Sequence, residues 1–332
     1  MLASIVAVIV GLVVLVWAAD RFVLGAAATA RNLGMSPLII GLTVVAIATS
    51  APEIFIAAMA AWQGNIGLGI GNAVGSNIAN IGMIIGVTAL VRPLSVHSDT
   101  LRRELPVLLV ISLAVLVFML DGHLGRIDGI LLVLALAVVF YWLVHLGLRT
   151  RKTDPMQVEL EVEIPKTMPM RHSLAWLILG CVLLLISSRV LVWGAVNIAV
   201  AMHVSDLVIG LTIVAVGTSL PELAAGVAST IRGESDLAVG AIIGSNMFNL
   251  LAVLAMPALI RPGEFSQLVL TRDFPVMIAL TVALFAMAYG FRGSGEITRA
   301  KGGGLLVSFV AYQLYLYYSV SAGQNDMALT GF

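Results

Sequence analysis

Thr49-Ser50-Ala51-Pro52-Glu53 and Gly75-Ser76-Asn77-Ile78-Ala79-Asn80 come back as Thr218-Ser219-Leu220-Pro221-Glu222 and Gly244-Ser245-Asn246-Met247-Phe248-Asn249. Both pairs are shifted by the same 169 residues, and the segments around them, 38–93 and 207–262, align without a gap. Of the 56 aligned positions 22 are identical, and these fall mostly on Gly, Pro, Ser, Thr, Asn and Glu rather than on interchangeable aliphatics. Polar residues repeated inside apolar segments point to a duplicated site.

The rest of the chain says where that site lies. With 60% hydrophobic and 11% charged residues over 332 positions, the composition is that of an integral membrane protein. Apolar runs of about 20 residues or more suit helices crossing ~30 Å of hydrocarbon, and the alternating ten-residue segments of a barrel are absent, so only helices are expected. Zero formal net charge argues against nucleic acid, and the single cysteine, Cys181, cannot form an intrachain disulfide. The N-terminal run has no basic leader and continues into further apolar sequence, so it reads as a first helix.

The pattern places five spans near 2–30, 37–62, 66–91, 104–120 and 125–148 and five more near 172–202, 206–231, 236–261, 268–290 and 303–320. Residues 1–148 and 172–332 are then two halves, joined by a hydrophilic linker over 149–171. With the N-terminus outside, the inner loops carry 13 Lys and Arg residues and the outer loops three, which puts both termini in the periplasm and the linker in the cytoplasm. Homologous halves with an odd number of spans enter the membrane with opposite polarity. The expected fold is therefore an all-α bundle of two inverted five-helix repeats. Asp20 and Arg189 occupy equivalent positions in the two longest spans, which leaves two readings open: a pair near the pseudo-two-fold axis, or each side chain snorkelling or pairing with a local neighbour.

Pro52 and Pro221 each delete a backbone hydrogen bond within an apolar run, so helices 2 and 7 should break at the midplane. Broken backbone persists in a bilayer only inside the protein or beside a wet cavity. Thr49, Ser50 and Glu53 lie on one turn at that break, as do Thr218, Ser219 and Glu222. Ser76 and Asn80, and likewise Ser245 and Asn249, are four residues apart on the following helices. A Ser or Thr in a membrane helix commonly only bonds its own backbone, but a carboxylate at mid-bilayer is costly and functional by default. Two carboxylates among neutral oxygens form a hard-cation site with the charge to neutralise one Ca²⁺. Gly71 and Gly75, with Gly240 and Gly244, read as places where helices approach closely.

These paired motifs resemble the two alpha repeats of the calcium:cation antiporter superfamily, and nearly the whole chain resembles its bacterial sodium/calcium exchanger-like inner membrane proteins. The resemblance implies that Glu53 and Glu222 bind both Ca²⁺ and Na⁺. It also implies that Thr49, Ser50, Ser76, Thr218, Ser219 and Ser245, with the carbonyls of Ala46 and Ala215, complete the cation cluster. Some members of that superfamily carry Asp where this chain has Asn249. The expected activity is Ca²⁺ exchange for Na⁺, electrogenic and with no cofactor, by a chain acting as a monomer in the lipid bilayer. An H⁺- or K⁺-coupled antiporter of the same fold and a passive cation channel are the alternatives. An intramembrane hydrolase would need a buried base beside Ser50 or Ser219, which the sequence does not offer.

Overall fold

The computed structural model describes residues 1–33, 50–149, 168–202, 204–233, 235–289 and 295–330. The first part of the second expected span, with Ala46 and Thr49, lies outside them, as does most of the linker. The helices are α1 (Leu2–Asn32), α2 (Ala51–Trp62), α3 (Ile66–Val91), α4 (Asp99–Met119), α5 (Arg126–Arg149) and α6 (Met170–Met202). They are followed by α7 (Asp206–Thr218), α8 (Leu220–Arg232), α9 (Ser235–Ile260), α10 (Val269–Ala288) and α11 (Arg299–Thr330). By length and composition, six described helices can each cross a membrane, and α7 with α8 makes a seventh if that bent pair is one span.

Burial sorts these helices into a centre and a flank. Most of α3 and α9 is buried, whereas α1, α5 and α6 expose most of their apolar surface, as helices facing lipid do. One hydrophobic cluster joins α3, α4, α9, α10 and α11, and a second joins α1 and α6 to α2 and α7.

The α1–α6 contact is antiparallel and made close by glycines. A Cβ on Gly11 would sit 3.1 Å from Cβ of Leu191, and one on its repeat equivalent Gly180 would sit 2.7 Å from the Phe22 nitrogen. Gly25 and its equivalent Gly194 face the carbonyls of Ser173 and Ser4 in the same way, each at 2.8 Å. This geometry rules out the Asp20–Arg189 pair and leaves the reading in which each has local neighbours. With Gly11 opposite Leu191 and Phe22 opposite Gly180, Asp20 and Arg189 are offset by about seven residues, ~10 Å along the helices. Asp20 instead lies 3.6 Å from Arg21 and is 71% exposed. The Arg21 guanidinium sits over the rings of Trp17 and Trp176 at 5.7 and 5.2 Å. Arg189 lines a cavity of about 370 Å³ with Met59, Trp62, Gln63 and Trp193.

The expectation of helices alone is also corrected. Two short antiparallel ribbons connect the halves: β1 (Leu94–Val96) pairs with β4 (Gly295–Ile297), and β2 (His123–Leu124) with β3 (Gly263–Glu264). These strands lie in loops between helices, where a span-length hydropathy signal carries no information about them. The β1 ribbon is anchored at its far edge, because Oδ1 of buried Asp236 accepts from the backbone N–H groups of His97 and Ser98, both at 2.9 Å.

Candidate cation site

The site forms where α2, α3, α7, α8 and α9 meet, and proline chemistry builds its edges. Pro221 has no N–H to give the helix, so α7 stops at Thr218 and α8 starts at Leu220, with Ser219 at φ −84°, ψ 1° between them. The two segments are bent by 41°. Ser50 has the same conformation, φ −84° and ψ 5°, ahead of Pro52 and α2. Glu53 and Glu222 therefore stand in the first turns of α2 and α8. There the unpaired amides of a helix start favour negative charge.

Close backbone contact brings the next helix against this edge. A Cβ on Gly71 would overlap the Leu207 carbonyl, one on Gly75 would meet Ala215 Cβ and Leu211 Cα at 2.8 Å, and one on Gly210 would meet the Leu68 carbonyl at 2.5 Å. Three residues without side chains thus let α3 and α7 touch through their backbones, as the sequence suggested for Gly71 and Gly75, whereas the same expectation fails at Gly244, where an added Cβ would meet nothing within 4 Å. On α3, Ser76 is then 3.4 Å from Thr218, hydroxyl to hydroxyl.

At Asn80 and Asn249 the two motif helices change pitch. Residues Asn80–Ile85 and Asn249–Val253 are π-helical, at equivalent repeat positions. Such wide turns are rare and concentrate at functional sites. The Asn80 amide donates to Ser245 Oγ at 3.2 Å and to Asn246 Oδ1 at 3.0 Å, and the Asn77 amide donates to the Asn246 carbonyl at 3.3 Å. These bonds cross from one half of the chain to the other.

Burial and missing partners decide what the site can hold. Glu53 is 0% exposed and Glu222 5%, and none of their four carboxylate oxygens has a hydrogen-bond partner among the described residues. The two carboxylates are close enough for their charges to act on each other. The hydroxyls of Ser50 and Ser219, Oδ1 of Asn77 and Asn80, and both amide atoms of Asn249 are also buried with no partner among the described residues. Leaving one such polar group dry costs roughly 1–3 kcal/mol, and a bare charge costs more. A cluster of unbonded oxygens around two anions is what a desolvated cation satisfies. The buried donors gathered here are carboxylate, hydroxyl and amide oxygens, a hard set.

Of the expected site residues, Ser50, Glu53, Ser76, Asn80, Thr218, Ser219, Glu222, Ser245 and Asn249 are all buried in the contact region of these helices. Ala215 is buried too, and its carbonyl accepts from the Thr218 hydroxyl at 3.2 Å and the Ser219 N–H at 3.1 Å. Ala46 and Thr49 fall outside the described residues. Sequence reasoning passed over Asn72, Asn77 and Asn246, which the structure places in the same network. Asn77 and Asn246 sit within the repeated motif, so duplication itself carried the signal. Asn72 has no polar counterpart in the second copy, where Ala241 stands, and repeat comparison was blind to it.

The sodium/calcium exchanger protein family matches residues 3–145 and 172–318, which is most of the chain. The inner membrane protein YrbG of Escherichia coli strain K12 is 40% identical over 320 residues, covering 96% of this chain and 98% of that one. A candidate antiporter of Alkalimonas amylolytica, CaxA, is 48% identical over 323 residues, or 96% of this chain and 100% of that one. A solved structure of the sodium-calcium exchanger NCX_Mj, soaked with 2.5 mM Na⁺ and 10 mM Sr²⁺, superposes with a TM-score of 0.64 at 31% identity. That match covers 93% of this chain and 97% of the other. The chain belongs to the sodium/calcium exchanger family of membrane cation antiporters.

Proposed function

We propose that the protein exchanges Ca²⁺ for Na⁺ through one cage built on Glu53 and Glu222, opened alternately to the two sides of the membrane. One observation carries this reading: two buried carboxylates with no hydrogen-bond partner among the described residues, in a cluster of neutral oxygens and in a chain of the exchanger family. One Ca²⁺ neutralises the pair. The remaining neutral oxygens are numerous enough for further Na⁺, so a leg carrying three Na⁺ would bear one extra positive charge. Moving that charge across the membrane is worth ~2.3 kcal/mol per 100 mV, which makes exchange electrogenic.

The proposed architecture is ten spans in two inverted repeats, residues 1–148 and 172–332, joined by a cytoplasmic linker over 149–171, with both termini periplasmic. The symmetry of the contacts supports it. Equivalent glycines pack reciprocally across α1 and α6, and β3 stands at the repeat position of β1. The name of YrbG, an inner membrane protein, supports the same location for this chain. The single chain already encloses the cage, so a monomer is the functional unit.

Transport in proteoliposomes tests the function. Vesicles loaded with Na⁺ should take up external ⁴⁵Ca²⁺, and faster when valinomycin and K⁺ hold the interior positive. Uptake that follows a pH or K⁺ gradient and ignores Na⁺ would replace the coupling ion. Flux with no counter-ion dependence would instead indicate a channel.

A further inference from the structure

We infer that Asn72, a residue of the first half alone, is the positioning residue that holds the Thr218 hydroxyl and the Glu53 main chain in place for cation binding. Asn72 is fully buried on α3, between the closely packed Gly71 and Gly75. Its Nδ2 donates to the Glu53 carbonyl at 3.3 Å, and its Oδ1 accepts from the Thr218 hydroxyl at 3.3 Å. One side chain thus joins α2, α3 and α7, and so bridges the two halves at the cage.

The chemistry of a hydroxyl ligand gives this bridge its role. Thr218 can offer a lone pair to a cation only if its single hydrogen points elsewhere. Asn72 Oδ1, the Ala215 carbonyl and the Ser76 hydroxyl are the acceptors in reach, and Asn72 takes it in the arrangement inferred here. Ser76, 3.4 Å away, can then donate to Thr218 or turn its own oxygen toward the cage. The bond to the Glu53 carbonyl fixes the first turn of α2, and with it the direction from which the carboxylate enters. Ala241 stands at the equivalent place in the second copy and can do neither. The two flanks of the cage are therefore inequivalent although their ligands are duplicated.

This inference rests on the proposed cation cage but not on the coupling ion, and its test separates the two. Equilibrium binding of ⁴⁵Ca²⁺ to the purified full chain in detergent needs no Na⁺ gradient. Asn72→Ala should weaken Ca²⁺ binding roughly five- to tenfold, the loss of one buried hydrogen bond at a ligand. Asn72→Leu, which keeps the volume and removes the bonds, should do the same while eluting as a monodisperse peak. In a Thr218→Ala background the further loss from Asn72→Ala should shrink to about twofold or less, because the two residues act as one unit. Wild-type affinity in Asn72→Leu, or losses that multiply fully in the double variant, would overturn the inference. Wild-type protein that binds Ca²⁺ yet fails to exchange it for Na⁺ would sink the coupling alone.

Discussion

The two copies of the motif agree at the ions' expected ligands and disagree one step behind them. In α3 and α9 the sequence Gly-Ser-Asn-x-x-Asn is kept, and both helices widen into π turns at its last residue. Four residues before the Ser, one copy has Asn72 and the other Ala241. The helices that follow Ser50 and Ser219 diverge further: α2 buries Ala57, Ala60 and Ala61, whereas α8 has Gly226, Ser229 and Thr230 at those positions. A duplicated fold thus holds its ligand geometry fixed while the supporting residues drift.

The largest effect should come where the copies are identical. Glu53→Gln and Glu222→Gln should each abolish Ca²⁺ transport, because a single carboxylate cannot neutralise a divalent ion in a dry cage. Breaking a buried charge pair costs roughly 3–5 kcal/mol, at least a hundredfold in affinity. If one variant alone retained transport, the carboxylates would not share the ion.

A second effect tests the close packing that brings the halves together. Gly75→Leu forces side-chain atoms into Leu211 and Ala215, at an overpacking cost of about 1–3 kcal/mol, and should lower both thermal stability and Ca²⁺ affinity. Gly226→Ala is its control, since the added Cβ would lie 3.5 Å from Thr88 Oγ1 and 3.6 Å from Ile84 Cγ2, in ordinary contact. Thermal unfolding followed by size-exclusion chromatography reads both. Equal losses in the two variants would remove the special role of the α3–α7 contact.

Smaller changes should follow at the neutral amides. Asn249 is fully buried and neither of its amide atoms is bonded, so Asn249→Asp adds a third negative charge to the cage. Some Ca²⁺ binding should remain, while the ratio of Na⁺ to Ca²⁺ affinity changes. Competition binding measures that ratio, and an unchanged value would place Asn249 outside the ion path. The smallest effect belongs to Ala241→Asn, which imitates Asn72 in the second copy. Ala241 is exposed in the structure, so Ca²⁺ affinity should change by less than about twofold, the scale of a surface substitution.

Most of the fold was legible because lipid imposes simple rules. Each expected span has a helix within its described residues, and the boundaries of Ile66–Val91 agree to the residue. The residues proposed as ligands stood out in the sequence because carboxylates and repeated polar residues are costly in apolar helices. Three features escaped for separate physical reasons. The ribbons lie in loops, where backbone pairing leaves no hydropathy trace. Asp20 and Arg189 are equivalent by repeat, but antiparallel packing offsets them along the α1–α6 contact. The π turns at Asn80 and Asn249 are wide turns that no single-helix propensity encodes.

The central claim is that two carboxylates, one from each copy, hold the same Ca²⁺ and release it to Na⁺. Equilibrium ⁴⁵Ca²⁺ binding to purified protein, titrated with NaCl against choline chloride at equal ionic strength, tests it most directly. The account predicts one Ca²⁺ per chain, displaced by Na⁺ with a Hill coefficient above one, and no measurable site in either Glu53→Gln or Glu222→Gln. Two Ca²⁺ per chain, persistence of the site in one of these variants, or displacement by choline as effective as by Na⁺ would contradict it.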